Sequence, residues 1–578
     1  MICWRWCGVW SVHDYYNPEE HKRYIPPSLP LPCSLSSMAH PPPPFINPRS
    51  GYSPATKTFH TLRFPVPLPP VSLPLAFTSY LFSLLPDRFP SHPAFINAST
   101  GASLSYPNLV SQIHSLASSL HSHLGISKGH VAFILSTSCL EIPILYLSLL
   151  SLGAIVTPAN PAATPSELSR LIHLSSPTHF FATSSSSSKL PLHVTPILID
   201  SPLFRSFLES DSISHLSDPI EIRQSDPAAI LFSSGTTGTT KAAAISHRNI
   251  IAVIAVMRTI QPSEKETTLL IGPMFHSMGF FAVMNNVMRQ ETVVVARPGP
   301  MSLTISLALK YKISQMLAVP PLVIALTQSD EAMRLESSPL RRVICGGAPL
   351  APEVAKRFKA LLPNVELSQG YGSTEAGLVS SMMGPEECCR LGSVGKLHDK
   401  VEAKIMDLGT NQALSVGQQG ELYVRGPAVM LGYVGDSEAN TLAFDSEGWL
   451  KTGDICYFDE DGFLYIVDRL KEMIKYKAYQ VAPVELEQIL HSLPDIVEAA
   501  VVPYPHAVAG QIPMAFVVRR PGSNINVDDI IEFVAKQVAP YKKIRKVAFI
   551  DAIPKTPSGK ILRRELASLA ASGSLSKL

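Results

Sequence analysis

Residues 229–241 read Ala-Ile-Leu-Phe-Ser233-Ser234-Gly235-Thr236-Thr237-Gly238-Thr239-Thr240-Lys241. An apolar strand pattern runs into a loop of glycines and hydroxyl residues and closes on a lysine. Each ingredient suits a polyphosphate. Glycines let backbone N–H groups turn toward one point, hydroxyls donate further hydrogen bonds, and the lysine adds a positive charge. The spacing departs from G-x-x-x-x-G-K-[ST], so a P-loop NTPase fold is not implied. Alone, a Ser/Thr/Gly loop is more often a flexible turn. The strand before it, the lysine, and Ser246-His247-Arg248-Asn249 after it make the phosphate reading more specific.

Outward from this loop, residues 129–135 (GHVAFIL), 195–199 (TPILI) and 291–296 (ETVVVA) read as buried strands, and 105–124 and 302–312 as helices. Such alternation predicts an α/β fold with largely parallel sheets packed with helices. The run Ser184 to Ser188 reads as an exposed loop. Near Asp468 the charge balance changes. Residues 468–578 hold 16 Lys+Arg and 11 Asp+Glu, a net +5; subtracting them from the whole-chain 48 and 46 leaves 32 and 35, a net −3. A separate basic C-terminal domain is expected there, with charges scattered in a way that suits a phosphate ligand better than nucleic acid.

Over all 578 residues the formal charge is +2, which excludes a strongly basic nucleic-acid binder or an acidic tail protein. Hydrophobic residues make up 46% against 16% charged, enough for a large core. The eight cysteines form no CxxC pairs with histidines, which argues against a zinc site or disulfide scaffold and for a reducing compartment. The best membrane candidate, Ile142 to Val156, has 15 residues where a span needs ~20, so a buried helix is expected and no transmembrane segment. Of 51 prolines, 19 lie in the first 100 residues, and residues 1–60 are expected to be an extended Pro/Ser-rich coil, with Met38 an alternative start. Ser576-Lys577-Leu578 matches the S-K-L address read by the peroxisomal import receptor.

Five further motifs follow the phosphate loop in order. They are Gly347-Ala348-Pro349-Leu350, Gln369-Gly370-Tyr371-Gly372-Ser373-Thr374-Glu375, Gly448-Trp449-Leu450-Lys451-Thr452-Gly453-Asp454, Val467-Asp468-Arg469 and Pro557-Ser558-Gly559-Lys560. With SSGTTGTTK they resemble, in register over about residues 75–568, the signatures of the adenylate-forming enzymes. That superfamily includes acyl- and aryl-CoA synthetases, luciferases and peptide-synthetase adenylation domains. DRLKEMIKYKAYQVAPVELE at 468–487 and APYKKIRKVAFI at 539–550 are most similar to plant 4-coumarate–CoA ligases. Ser-Lys-Leu points to their peroxisomal ligase-like branch, associated with fatty acids, jasmonate precursors and cinnamates.

The resemblance implies two half-reactions. A carboxylate attacks the α-phosphate of ATP, giving an acyl-adenylate and pyrophosphate; the thiol of CoA then displaces AMP. It also implies an AMP-binding N-terminal domain over 61–467, a hinge at 468–471, a small mobile α+β lid domain over 472–568 and a tail over 569–578. Ser233, Ser234, Gly235, Thr236, Thr237, Gly238 and Lys241 would cradle the ATP phosphates. Gln369, Gly370, Tyr371 and Thr374 would close on the nucleotide, with Tyr371 stacked on adenine and Thr374 at the α-phosphate. Asp454 would accept from the ribose hydroxyls, Arg469 would bind ribose or phosphate, and Glu375 would hold Mg²⁺, a hard cation that prefers oxygen. Lys560 would bridge the substrate carboxylate and the α-phosphate. Lys471 matches the hinge, Lys475 an adenylate contact, Gln480 a residue implicated in catalysis, and Lys477 and Ala478 a CoA-contacting pair. A lone acid or lysine is far more often a surface residue; the joint pattern reverses that weighting.

Pro273-Met274-Phe275-His276-Ser277-Met278-Gly279 resembles the segment whose histidine borders the acyl pocket, which Gly346, Gly347 and Gly372 would also line. Met278 stands where hydroxycinnamate ligases carry Tyr. Methionine is apolar and donates no hydrogen bond, so a preference for fatty or cyclopentanone-bearing alkanoic acids over 4-coumarate is expected. Other departures are Thr240 for Pro, Ala242 and Ala478 for Gly, and Arg297-Pro298-Gly299-Pro300, where a basic residue of the CoA site is displaced. The alternatives are a 4-coumarate or cinnamate ligase, a luciferase-like adenylate oxidase, and a non-catalytic acyl- or nucleotide-binding relative. Retention of Lys560, Glu375, Asp454 and Arg469 together argues against the last.

Overall fold

The computed structural model describes residues 45–210, 220–233, 240–260, 265–476, 479–506, 509–556 and 559–571. Two large sheets and a third, smaller one organise the chain. In the seven-stranded sheet, Val131–Leu135 lies parallel to both Ile155–Ala159 and His179–Ala182. Strands buried on both faces explain the continuous apolar run at 131–135, since helices cover a parallel sheet on each side. Pro227–Ser233 runs parallel to Ile155–Ala159 and antiparallel to Lys241–Ser246, with Ser233 opposite Lys241. The segment quoted at the outset therefore begins in one of these strands and ends at the start of the other.

The fifteen-stranded sheet is mixed. Its parallel block runs in the order Pro93–Asn97, Thr292–Val295, Thr267–Leu270, Gln315–Ala318, Arg342–Cys345 and Glu366–Ser373. From Glu366–Ser373 outward the pairings are antiparallel, through Gly377–Ser381 and Leu450–Phe458 to Thr58–His60. Carboxyl ends of parallel strands make ligand crevices, because the loops that follow them gather at one edge. Here those ends deliver Gly346, Gly347 and Gly370 to Ser373 to the same place.

Helix ends follow local chemistry. Ser105 caps Tyr106–Leu124 by accepting from the Asn108 N–H, Pro107 occupies the first turn, and Gly125 closes the helix at φ 64°. Thr164 and Glu167 form a capping box on Pro165–Ser175, as Ser246 and Asn249 do on His247–Thr259. Asn249 thus serves the helix rather than a phosphate. His247 is fully buried and accepts the Phe77 N–H at 3.0 Å, a core role.

Residues 474–571 build the third sheet, with Ile496–His506 against Gly510–Arg519 and Lys546–Phe549 parallel to the latter. The helices Pro483–His491 and Val527–Ala535 bury Leu486, Leu490, Ile530 and Val534 in a core separate from the N-terminal ones. The fold is mixed α/β, with a large N-terminal domain and a smaller α+β C-terminal one. No helix among the described residues is long and apolar enough to cross a membrane.

Four expectations need correction. Residues up to 60 are not all coil: Tyr52–Ser53 and Thr58–His60 are strands, and Thr58–His60 pairs with Glu402–Met406. Gly51 permits this turn, because a Cβ there would stand 2.2 Å from the His60 carbonyl. The N-terminal sheet accordingly begins before residue 61. The serine run is a short helix, Ser184–Ser187, with Ser186 buried and donating to the Leu135 carbonyl. The apolar run 142–156 is not one helix. Glu141–Ser151 ends before Gly153 at φ 69°, and the chain re-enters the sheet at Ile155. Of 195–199 only Ile197–Leu198 pairs as a strand.

Candidate active site

Two cavities meet at the carboxyl edge of the parallel block. One is a cleft of about 180 Å³ between the domains, lined by Gly347, Gln369, Tyr371, Asp454, Arg469 and Lys560. The other, of about 380 Å³, runs along the helix Ser277–Arg289 and includes His276, Met278, Gly346 and Gly372. Gly347, Gly370, Tyr371 and Gly372 wall both, so a group in one cavity abuts a group in the other. The turn that makes this wall needs a glycine at 372, because a Cβ would sit 2.2 Å from the Gly377 carbonyl.

Asp454 is the electrostatic centre of the cleft. It is buried; the Arg469 Nε lies 3.2 Å from Oδ1, and the Tyr371 hydroxyl donates to Oδ2 at 2.6 Å. Burial raises the Asp454 pKa, against the pull of Arg469. Burial likewise lifts the Tyr371 phenol well above its usual value, so the hydroxyl keeps its proton and donates. In this arrangement the tyrosine and arginine occupy the lone pairs that the resemblance reserves for ribose.

Lys560 enters from the C-terminal domain. Burial, and then the Arg469 charge, lower its pKa to about 8. Gly559 holds the approach at φ 80°, its would-be Cβ 3.0 Å from the Pro321 Cδ of the N-terminal domain. The two domains are further tied at Asp468. Asp468 accepts the Val484 N–H at 3.0 Å and the Arg469 N–H at 2.6 Å. Burial pushes the Asp468 carboxyl up to about 7.

Glu375 lies beside the hairpin of Pro227–Ser233 and Lys241–Ser246. The Ser233 hydroxyl donates to its Oε1 at 2.6 Å and the Tyr433 hydroxyl to the same oxygen at 3.1 Å. The Tyr433 ring lies 4.6 Å from the Lys241 Nζ, a cation–π contact that seats the lysine. Tyr433 escaped the sequence reading; it stands 58 residues from Glu375, and only the strand pairing of Gly432–Tyr433 with 243–244 brings it in. Thr374 is buried, with its hydroxyl 3.4 Å from that of Ser277.

His276 caps the helix Ser277–Arg289, its Nδ1 accepting the Met278 N–H at 3.3 Å. Burial lowers its pKa, so the ring is neutral and carries its proton on Nε2. It lines the second cavity as a neutral ring rather than a cation.

Several candidate residues are not brought together. Lys475 and Gln480 are backbone register partners in the hairpin Ile474–Tyr476/Tyr479–Val481, and Lys475 is exposed and lines neither cavity. Ser234, Gly235, Thr236, Thr237, Gly238, Lys477, Ala478 and the Ser-Lys-Leu signal lie outside the described residues. Ala242 is buried opposite Phe232 in the hairpin, a position that accepts its methyl group.

Comparison with known proteins agrees with this geometry. Residues 85–434 match the model of the AMP-binding enzyme family, and residues 485–560 that of the AMP-binding enzyme C-terminal domain. The chain belongs to the AMP-binding enzyme family. It is 48% identical over 552 residues to the 4-coumarate–CoA ligase-like 9 protein of Arabidopsis thaliana, covering 92% of this chain and 98% of that one. It is 41% identical over 552 residues to peroxisomal OPC-8:0-CoA ligase 1 of the same plant, covering 92% and 99%. Among solved structures, ATP-bound MatB from Rhodopseudomonas palustris superposes with a TM-score of 0.78 at 26% identity, covering 86% of this chain and 98% of that one. The protein is an acid–CoA ligase that works through an acyl-adenylate, with ATP and CoA as substrates. For this ligase an acid and ATP must meet in the first half-reaction, and the two cavities adjoin.

Proposed function

We propose that the ligase activates fatty acids or cyclopentanone-bearing alkanoic acids in preference to 4-coumarate. The observation that carries this is the lining of the acyl cavity. Beyond His276 its apolar side chains include Met278, Phe281, Leu317, Ile344 and Leu378, with Asn285, Asn286 and Arg289 farther along the same helix, and the position where a hydroxycinnamate ligase would offer a tyrosine hydroxyl holds the Met278 thioether. Apolar, deformable walls suit a chain of methylenes and do not reward a phenol. The name of the relative peroxisomal OPC-8:0-CoA ligase 1 lends support, and with Ser576-Lys577-Leu578 it supports a peroxisomal destination.

In this reading Lys560 bridges carboxylate and α-phosphate, Asp454 and Arg469 exchange their present partners for the ribose, and Tyr371 releases Asp454 to stack on adenine. The phosphate hairpin and Lys241 take the β- and γ-phosphates. Among the described residues no group of three or more His, Cys, Asp or Glu is placed to hold a metal. The oxygen-rich surroundings of Glu375 nevertheless fit Mg²⁺, which is commonly held by one or two carboxylates together with substrate phosphates. Bound there, it would neutralise phosphate charge. Lys475, Gln480, Lys477 and Ala478 serve the second half-reaction, after the C-terminal domain turns about Lys471.

The test is pyrophosphate release with and without CoA across decanoate, longer fatty acids, a cyclopentanone octanoate, cinnamate and 4-coumarate. A kcat/KM at least tenfold higher for the alkanoic acids supports the reading. Preference for 4-coumarate refutes it.

A further inference from the structure

Lys241 and Glu375 lie far apart in the chain, and one side chain touches both. Tyr433 is buried; its hydroxyl donates to Glu375 Oε1 at 3.1 Å, and its ring lies 4.6 Å from Lys241 Nζ. The Ser233 hydroxyl donates to the same Oε1 at 2.6 Å. Among the described residues, both side-chain hydrogen bonds to this carboxylate fall on Oε1 and none on Oε2. Two donors on one oxygen hold the carboxylate in one orientation and leave the lone pairs of the other oxygen for a further partner.

Tyr433 is itself held with care. Its strand, Gly432–Tyr433, is two residues long and pairs with Ala243 and Ala244. The ladder bonds flank the tyrosine, from the Leu431 N–H to the Ala244 carbonyl and from the Val434 N–H to the Ala242 carbonyl. The N–H and C=O of Tyr433 therefore point away from the partner strand, at the edge of the sheet. Asn440 satisfies both: its Oδ1 accepts the Tyr433 N–H at 2.6 Å and its Nδ2 donates to the Tyr433 carbonyl at 2.9 Å. Gly432, at φ 142°, makes room for this clamp, since a Cβ there would lie 2.9 Å from Asn440 Oδ1. Tyr433 stands opposite Ala243, so Lys241, two residues back on the same face, is its diagonal neighbour. The Met430 N–H donates to the Glu375 carbonyl at 2.8 Å, so this one segment holds Glu375 by backbone and by side chain.

We infer that Tyr433 is a positioning residue for adenylation, its hydroxyl fixing the Glu375 carboxylate that takes the cation and its ring seating the Lys241 that takes phosphate. The inference rests on the roles proposed above for Glu375 and Lys241 and names the residue that organises them. Partners that orient a metal-ligating carboxylate are worth about 10- to 100-fold in metal affinity or activity.

The test uses the full chain and the variants Tyr433→Phe, which removes the hydroxyl and keeps the ring, Tyr433→Leu, which removes both, and Glu375→Gln. Binding is read with Mn²⁺ as a paramagnetic probe and the α,β-methylene analogue of ATP. Tyr433→Phe should weaken Mn²⁺ about tenfold or more in the presence of the analogue. Tyr433→Leu should in addition weaken the metal-free analogue by about two- to fivefold, the value of the lost cation–π contact. Pyrophosphate release by Tyr433→Phe should fall by about tenfold at limiting Mg²⁺ and recover as Mg²⁺ is raised, which a merely structural defect would not do. If Glu375→Gln weakens Mn²⁺ and Tyr433→Phe does not, the role of the hydroxyl is overturned and the Glu375 reading stands. If Glu375→Gln leaves Mn²⁺ binding unchanged, the Glu375 reading falls and the hydroxyl's role with it. Equal metal-free binding by Tyr433→Phe and Tyr433→Leu would overturn the role of the ring. A loss of pyrophosphate release in Tyr433→Phe that no Mg²⁺ concentration restores would overturn positioning in favour of a purely structural role.

Discussion

Replacing Lys560 with methionine isolates one charge without a large change in volume. In the structure this lysine reaches the nucleotide cleft from the C-terminal domain, among Asp454, Arg469 and Glu472, with its pKa lowered to about 8 by burial and then by Arg469. In adenylation it is assigned two charge-assisted hydrogen bonds, one to the carboxylate and one to the α-phosphate. At about 1.5–3 kcal/mol each, their loss removes roughly 3–6 kcal/mol of transition-state stabilisation, a fall of about 10² to 10⁴ in rate. The assay separates the half-reactions: pyrophosphate release from acid and ATP, then thioester formation from synthetic acyl-adenylate and CoA. Only the first should fall. Equal loss in both would refute the role, because it would place the lysine in the domain's stability rather than in the adenylation step. The pH profile gives a second reading. A lysine that must be charged to act loses its proton above about pH 8 in the free enzyme, so kcat/KM for adenylation should decline through that value. Lys560→Arg should shift the decline upward. For stability the sign is opposite to that of a paired lysine. The folded pKa lies below the usual 10.5, so the unfolded chain holds the proton longer and the wild type gains stability between about pH 8 and 10.5 relative to Lys560→Met.

Asp454→Asn leaves Arg469 facing a neutral amide and removes charge-assisted acceptors for the ribose; KM for ATP should rise about tenfold or more, and an unchanged KM would remove Asp454 from the nucleotide site. Gly559→Ala forces a side chain into a φ 80° position and against Pro321 and Val319, at a cost of about 1–2 kcal/mol; adenylation should slow by roughly five- to thirtyfold while thioester formation from supplied adenylate is spared. Met278→Tyr returns a hydroxyl to the acyl cavity, and the ratio of kcat/KM for 4-coumarate over decanoate should rise by about two- to tenfold, the value of one neutral hydrogen bond; no rise would take position 278 out of substrate selection.

Much of the chemistry was legible as contiguous text. A phosphate hairpin, a Gly-Tyr-Gly-Ser-Thr-Glu turn and a Gly-Lys pair are short because backbone geometry over a few residues creates the function, so the residues that matter are neighbours in the chain. Helix caps such as Ser105 and Thr164 act over the same short range. The errors came where long-range pairing overrode local composition. Tyr52–Ser53 and Thr58–His60 look like coil among prolines, and only the strand Glu402–Met406 gives the latter a partner. Ile142–Val156 looks like one apolar helix, and only Gly153 and the parallel partner of Ile155–Ala159 divide it.

By itself, then, the sequence determined the family and its ligase chemistry through an adenylate, and put forward the residues proposed to serve it, because those depend on motifs whose spacing is local. Tertiary structure decided which of these residues act together. It set Lys560 in the nucleotide cleft and left Lys475 on an outer hairpin, because a single domain arrangement presents only one face of the C-terminal domain. It gave Glu375 its Tyr433 partner across 58 residues. Satisfaction of buried polar groups is settled by packing, and packing joins parts of the chain that the order of residues keeps apart.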